Sequence, residues 1–205
     1  MFIEHSGRIA LNGPTMGTRW SAVFYAPDSV IQTLALALQA AVDAVDATMS
    51  TWKPDSALMR LNAMPPGVWL AVPPSLCAVA ALGLQIGLDS GGAFDIGVGV
   101  AVEAWGFGAT SRQPDPIAIA RAAMRPIIAH PIEVDLAGSR LRRNGAVQID
   151  LSGIAKGHGV DRLAEVLGVH GIADFIVSID GEVRAAGSKP DGSGWVVGLE
   201  RPDRA

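Results

Sequence analysis

Asp174-Phe175-Ile176-Val177-Ser178-Ile179-Asp180-Gly181-Glu182-Val183-Arg184-Ala185-Ala186 decides the fold class. Asp174 to Ile179 and Glu182 to Ala186 read as strands joined at Asp180-Gly181. Ile154 to Val169, just before them, reads as a helix, and a Gly-rich loop leads on to a third strand at Trp195 to Leu199. Upstream, β-like pieces are expected at Ile132 to Val134, Arg140 to Arg142 and Val147 to Leu151, with turns at Gly138 and Asn144-Gly145 that suit hairpins. Near the start, Trp20 to Ala26 reads as a strand ending at Pro27. Asp28 and Ser29 then cap a helix whose apolar positions are Ile31, Leu34, Leu38, Val42, Val45 and Met49. Pro73-Pro74-Ser75 opens a second amphipathic helix to about Leu88, a short helix lies near Val100 to Trp105, and Pro114 and Pro116 open another to about Arg125. Helices and antiparallel strands mix without a βαβ rhythm, which argues for an α+β fold with a mixed, largely antiparallel sheet.

The 205 residues are read as one domain. The hydrophobic fraction is 49% but aromatics are only 5%, so the interior is built mainly from aliphatic side chains. A net charge of -4 with no basic block gives no footprint for nucleic acid or an anionic membrane. Cys77 is the only cysteine, which excludes an intrachain disulfide and a cysteine-based metal site. Met1 to Asn12 contains Glu4, His5 and Arg8 without a long apolar run, so neither a signal peptide nor a transmembrane segment is expected there. The chain ends at Pro202-Asp203-Arg204-Ala205 directly after an expected strand and reads as incomplete at its C-terminus.

Four constellations can carry chemistry. Ile149-Asp150-Leu151-Ser152-Gly153-Ile154-Ala155-Lys156-Gly157 is a strand end turning into a helix, and such a turn aims N–H groups and the helix dipole at an anion such as phosphate. Asp150 and the Gly153 carbonyl are possible oxygen ligands for Mg²⁺, with Lys156 one turn on. The same residues serve equally as a capped helix start with Asp150 as a local acceptor. In Gly91-Gly92-Ala93-Phe94-Asp95-Ile96-Gly97 the paired glycines permit close backbone approach, and Phe94 beside Asp95 offers a ring face and an acceptor. The plainer reading is a tight turn with Phe94 in the core and Asp95 as a cap; the segment Ala93 to Ile96 is expected to be extended. Trp52, in Met49 to Asn62, can stack on an aromatic ligand or sit over the core edge, and Asp55 or Ser56 can cap the next turn. Gly13-Pro14-Thr15-Met16-Gly17-Thr18 is a loop whose glycines bracket a flexible thioether. His5, His130, His158 and His170 show no metalloprotease spacing.

Taken in order, Met16-Gly17-Thr18, the Met49 to Asn62 segment, Gly92-Ala93-Phe94-Asp95, Trp105-Gly106-Phe107-Gly108 and Asp150 to Gly157 resemble the ApbE family, the FAD:protein FMN transferases. Asp161-Arg162, Ser178 to Val183 and Trp195 to Glu200 extend the likeness over nearly the whole chain. The resemblance implies cleavage of FAD and attachment of FMN by a phosphoester to a Thr or Ser of an acceptor flavoprotein subunit, with release of AMP. It places Met16, Trp52, Ala93, Phe94, Asp95, Asp150 and Lys156 at FAD-contacting positions and Gly153 where a backbone oxygen helps hold Mg²⁺. It also implies a periplasmic location. Two departures stand out: the family's further Asp and Thr ligands to Mg²⁺ are absent, and His158 stands where an aromatic such as Tyr is usual. Beside the transferase, the residues are compatible with a flavin-binding protein without catalysis or an FAD pyrophosphatase in which water replaces the acceptor hydroxyl.

Overall fold

The computed structural model describes residues 7–110, 112–124 and 130–199. In chain order the elements are β1 (Gly7–Thr15), β2 (Thr18–Ala26), α1 (Ile31–Met49), α2 (Ala57–Ala63), β3 (Leu70–Ala71), α3 (Pro74–Asp89), α4 (Gly99–Ala104), α5 (Pro116–Ala123), β4 (Ile132–Asp135), β5 (Arg140–Arg143), α6 (Ser152–Val169), β6 (Phe175–Ile179) and β7 (Glu182–Ala186). The architecture is α+β with antiparallel ladders, as the sequence indicates. The chain divides into two compact units, one made of residues up to Val42 together with those from Gly159 on, the other of Asp43–His158.

The first unit carries a four-stranded sheet in the order β1-β2-β6-β7. Strand alternation sends Trp20, Ala22 and Phe24 of β2 and Phe175, Val177 and Ile179 of β6 to one face. There they meet Leu34, Leu38 and Val42 of α1 and Val160, Leu163 and Leu167 of α6 in one buried cluster. By length and composition the 22 residues Asp28–Met49 could cross a membrane, but their apolar stripe at Leu34, Leu38 and Val42 is spent inside this core. The helix is led in by a 3-10 turn at Asp28–Val30 with Pro27 in the cap position; no side-chain cap forms, so the expected Asp28 or Ser29 cap is not used.

Residues Gly13–Thr18, expected as a loop, are mostly strand. Thr15 pairs with Thr18, and only Met16 and Gly17 remain in the turn, with φ of 43° and 74°. Positive φ at both central positions matches the twist of the flanking strands. Asp180-Gly181 repeats the device between β6 and β7, with φ of 48° and 101°. The strand expected over Trp195 to Leu199 does not form, because no described strand lies beside it to complete a ladder. Trp195 instead donates its indole N–H to the Ala186 carbonyl at 2.9 Å, with its ring 6.2 Å from that of Tyr25.

The second unit holds the short sheet β3-β5-β4. Expected pieces at Ile132 and Arg140 are present as β4 and β5, whereas Val147 to Leu151 is not a strand and has one isolated parallel bridge, between Gln148 and Val98. Ser56 caps α2 by accepting from the Met59 N–H at 3.0 Å, and Asp115 caps α5, which ends at Ala123; the expected end near Arg125 lies outside the described residues. The β4–β5 turn is closed by Asp135, which accepts from the Gly138 N–H at 2.9 Å and pairs with Arg140 at 2.6 Å. The amide bond first, and then the guanidinium, hold the Asp135 carboxyl below the ordinary 3.8. Its contribution to stability is therefore full above 3.8 and lost as pH falls through the lowered folded value. Urea midpoints at pH 3 and pH 6 should differ less in Asp135→Asn than in the parent; an equal difference would exclude this carboxylate as a source of acid sensitivity.

Candidate functional site

The second unit brings together segments that are far apart in the chain. Helix α3 ends in a Schellman arrangement, with Gly92 N–H on the Gly87 carbonyl at 2.8 Å and Gly91 N–H on the Leu88 carbonyl at 3.1 Å. Gly91 and Gly92 take φ of 62° and 86°, which the motif requires and side chains resist. Ser90 Oγ then accepts from the Phe94 N–H at 3.0 Å, and Asp95 Oδ1 accepts from the Gly97 N–H at 2.6 Å. These bonds bend the segment Ala93 to Ile96, so the expected strand is a turn. Ala93 and Asp95 are exposed, and Phe94 is half-buried.

Glycines make room for this turn. A Cβ at Gly83 would stand 2.7 Å from Ile96 Cγ2, one at Gly87 would stand 3.0 Å from the Phe94 carbonyl oxygen, and one at Gly153 would stand 3.0 Å from Phe94 Cε2. The Phe94 ring thus lies against the first turn of α6, and the second and first constellations of the sequence meet. Main-chain bonding ties them further, since the Asp150 N–H donates to the Ile96 carbonyl at 2.8 Å and the Gly99 N–H to the Gln148 carbonyl at 3.0 Å.

Asp150 is buried, and its Oδ1 accepts from the Ser152 N–H at 2.7 Å, so it caps α6. Lys156 is half-buried one turn along the same helix. Gly153 is exposed in the first turn of α6, directly after Ser152. Among the described residues no group of three or more His, Cys, Asp or Glu could hold a metal ion. The described His, Cys, Asp and Glu side chains therefore do not by themselves supply the near-octahedral oxygen coordination that Mg²⁺ demands.

Trp52 is 50% exposed, and the Arg112 guanidinium lies 5.4 Å from its ring centroid. Its backbone is fixed by Ser50 Oγ, which accepts from the Trp52 N–H at 3.1 Å, and Lys53 pairs with Asp46 at 2.6 Å. Trp105 and Phe107 are also exposed, at 53% and 75%, on a loop tethered by Glu103, whose carboxylate accepts from the Ala109 and Thr110 amides. Met16 belongs to the first unit, where its Cε would lie 3.1 Å from a Cβ at Gly159, so that glycine seats the thioether on α6.

One functional candidate escaped sequence reasoning. Asn62 is buried, and its carboxamide donates to the Ile149 carbonyl at 2.8 Å and accepts from the Ile149 N–H at 2.9 Å. It does for Ile149 what a neighbouring strand would do, which is why Val147 to Leu151 needs no sheet. A polar residue at the end of the otherwise apolar α2 stripe of Leu58 and Leu61 was the available signal.

With this geometry in view, the match to known proteins is direct. A model of the ApbE family matches residues 16–205. The chain belongs to the ApbE family. Among its ApbE relatives, the FAD:protein FMN transferase of Klebsiella pneumoniae (strain 342) is 35% identical over 199 residues, which are 94% of this chain and 57% of that protein. The FAD:protein FMN transferase of Vibrio cholerae serotype O1 is 33% identical over 203 residues, 95% of this chain and 59% of that protein. The apo crystal structure of Pseudomonas stutzeri flavinyl transferase ApbE superposes with a TM-score of 0.85 at 31% identity, covering 97% of this chain and 67% of that one. Flavin transferase ApbE from Vibrio cholerae superposes with a TM-score of 0.86 at 30% identity, covering 96% and 65%. The chain spans less than two thirds of the length of these curated ApbE relatives.

Proposed function

We propose that this chain carries the flavin-binding part of an FAD:protein FMN transferase. The observation that supports this most is the junction at the start of α6, where the Phe94 ring, Asp150 bonded to the Ser152 N–H and the positive end of a helix are held together by the 91–97 and 148–150 backbones. An aromatic face suits a flat ring system, and a helix N-terminus suits a pyrophosphate. Asp95 and Asp150, as carboxylates, are matched to N–H and O–H groups of the ligand and not to its phosphates. Trp52 offers a second ring face, with Arg112 over it. Ala93 exposes backbone beside Phe94 and Lys156 adds positive charge near the helix start, while Met16 enters the reading by family resemblance alone.

In the reaction, the hydroxyl oxygen of a Thr or Ser on an acceptor flavoprotein attacks the phosphorus on the FMN side of FAD. The bond from that phosphorus to the bridging oxygen breaks, AMP leaves with the bridging oxygen, and the hydroxyl proton passes to solvent. This chain's residues bind and orient FAD for that displacement. A Mg²⁺ requirement is part of the proposal by family resemblance alone, and no step is assigned to the ion here.

The test is titration with FAD, with and without Mg²⁺, followed by assay of AMP and of FMN on a Thr-containing acceptor peptide. Binding with Mg²⁺-dependent AMP release and FMN on the peptide supports the transferase. Binding without AMP would restrict the chain to holding flavin, AMP with free FMN would make it a pyrophosphatase, and failure to bind FAD would overturn the reading. Asp95→Ala should weaken FAD binding about tenfold, corresponding to about 1.4 kcal/mol, together with loss of the turn bond from the Gly97 N–H. Unchanged affinity would remove Asp95 from the site.

A further inference from the structure

Asn62 and Ile149 are 87 positions apart, yet one side chain satisfies both main-chain groups of the other residue. The next peptide units are held by different partners: the Gln148 carbonyl by Gly99, and the Asp150 N–H by the Ile96 carbonyl. Residues 148–150 are therefore fixed from three directions without belonging to a sheet. A buried carboxamide is costly unless it is fully bonded, so an apolar side chain beside an ordinary strand would be the simpler way to build a core here. The clamp instead delivers the chain at one height and angle into Asp150, itself buried and bonded to the Ser152 N–H.

We propose, building on the flavin reading above, that Asn62 is a positioning residue for ligand binding that acts through Asp150. Its bidentate hold on Ile149 sets the backbone from which the Asp150 carboxylate both caps α6 and receives the ligand. Small displacements of such a group are expensive in affinity and rate, which accounts for a polar clamp in an apolar setting.

The experiment is a double-mutant cycle in FAD affinity on the full chain, using Asn62→Ala, Asp150→Ala and the pair. Each single change should raise the dissociation constant at least about tenfold, and the double variant should bind no more than about threefold more weakly than Asp150→Ala alone. A role in general stability would leave the losses independent, so multiplied losses would overturn the assignment. Hydrogen exchange at the Ile149 amide of the unaltered, ligand-free chain needs no variant to fold. It should be slowed at least about a hundredfold relative to an unprotected amide. Fast exchange there that slows only with FAD would overturn the idea of a clamp formed in advance. If the unaltered chain failed to bind FAD, the flavin reading would fall and the assignment with it; additive losses in a chain that does bind would sink the assignment alone.

Discussion

Arg143→Met is expected to lower the free energy of unfolding by roughly 1–3 kcal/mol, the cost of leaving buried acceptors without a donor. Arg143, at the end of β5, is 6% exposed, and its guanidinium donates to the Met64 and Val147 carbonyls. Burial pushes its pKa down, but an arginine remains protonated throughout the working pH range, so no pH change relieves the buried charge. Methionine would fill much of the volume yet leave two carbonyls without donors, where α2 ends and where the 147–151 segment begins. Arg143→Lys should recover only part of the loss, because a single ammonium cannot reproduce the planar fork that reaches both oxygens. Tryptophan fluorescence in urea would measure this, and a loss under about 1 kcal/mol for Arg143→Met would show that the two carbonyls find other donors.

Gly99→Ala should cost about 1–3 kcal/mol, the usual range for an atom forced into a packed site. An added Cβ would lie 2.8 Å from the Gln148 carbonyl oxygen and 2.9 Å from Gln148 Cβ, and the former is backbone that cannot rotate away. The bond between Gly99 and Gln148 would lengthen, and because Gln148 leads to Ile149 and Asp150, FAD affinity should fall with stability. Gly157→Ala is the contrasting case. Nothing lies within 4 Å of a Cβ there, and alanine in the interior of α6 should stabilise by about 0.5–1 kcal/mol. Differential scanning of the two variants reads both signs, and a stabilised Gly99→Ala would contradict the packing described.

Elements with a strong local period could be read directly from the residues. The stripe of Leu34, Leu38, Val42, Val45 and Met49 is buried along α1, and the strands flanking Asp180-Gly181 pair as read. Strand β1 was illegible because Gly13 and Pro14 look like loop residues. Gly13 is demanded by a partner elsewhere, since a Cβ there would stand 2.6 Å from Trp20 Nε1, and Pro14 is tolerated because β1 is the edge strand of this sheet among the described residues. Val147 to Leu151 misled in the opposite direction, having strand alternation but a side chain for a neighbour. At the site, Phe94, Asp95, Asp150 and Gly153 were legible as residues of a kind, and the structure gathers them at one helix end. Asp95 and Asp150 both act as local acceptors that close turns. Asn62 was not legible as a clamp because its partner lies 87 positions away.

The discontinuous make-up of the first unit bears on how the protein is made. Strand β2 finds its second neighbour in β6, and the stripe of α1 is covered in part by Leu163 and Leu167 of α6. During synthesis β1, β2 and the front of α1 leave the ribosome while these partners are still unmade, whereas every residue of Asp43–His158 has been polymerised before the first unit can close. The continuous unit is therefore able to mature during translation, while β1, β2 and the apolar front of α1 wait uncovered for partners made later, which exposes that stretch to chaperones.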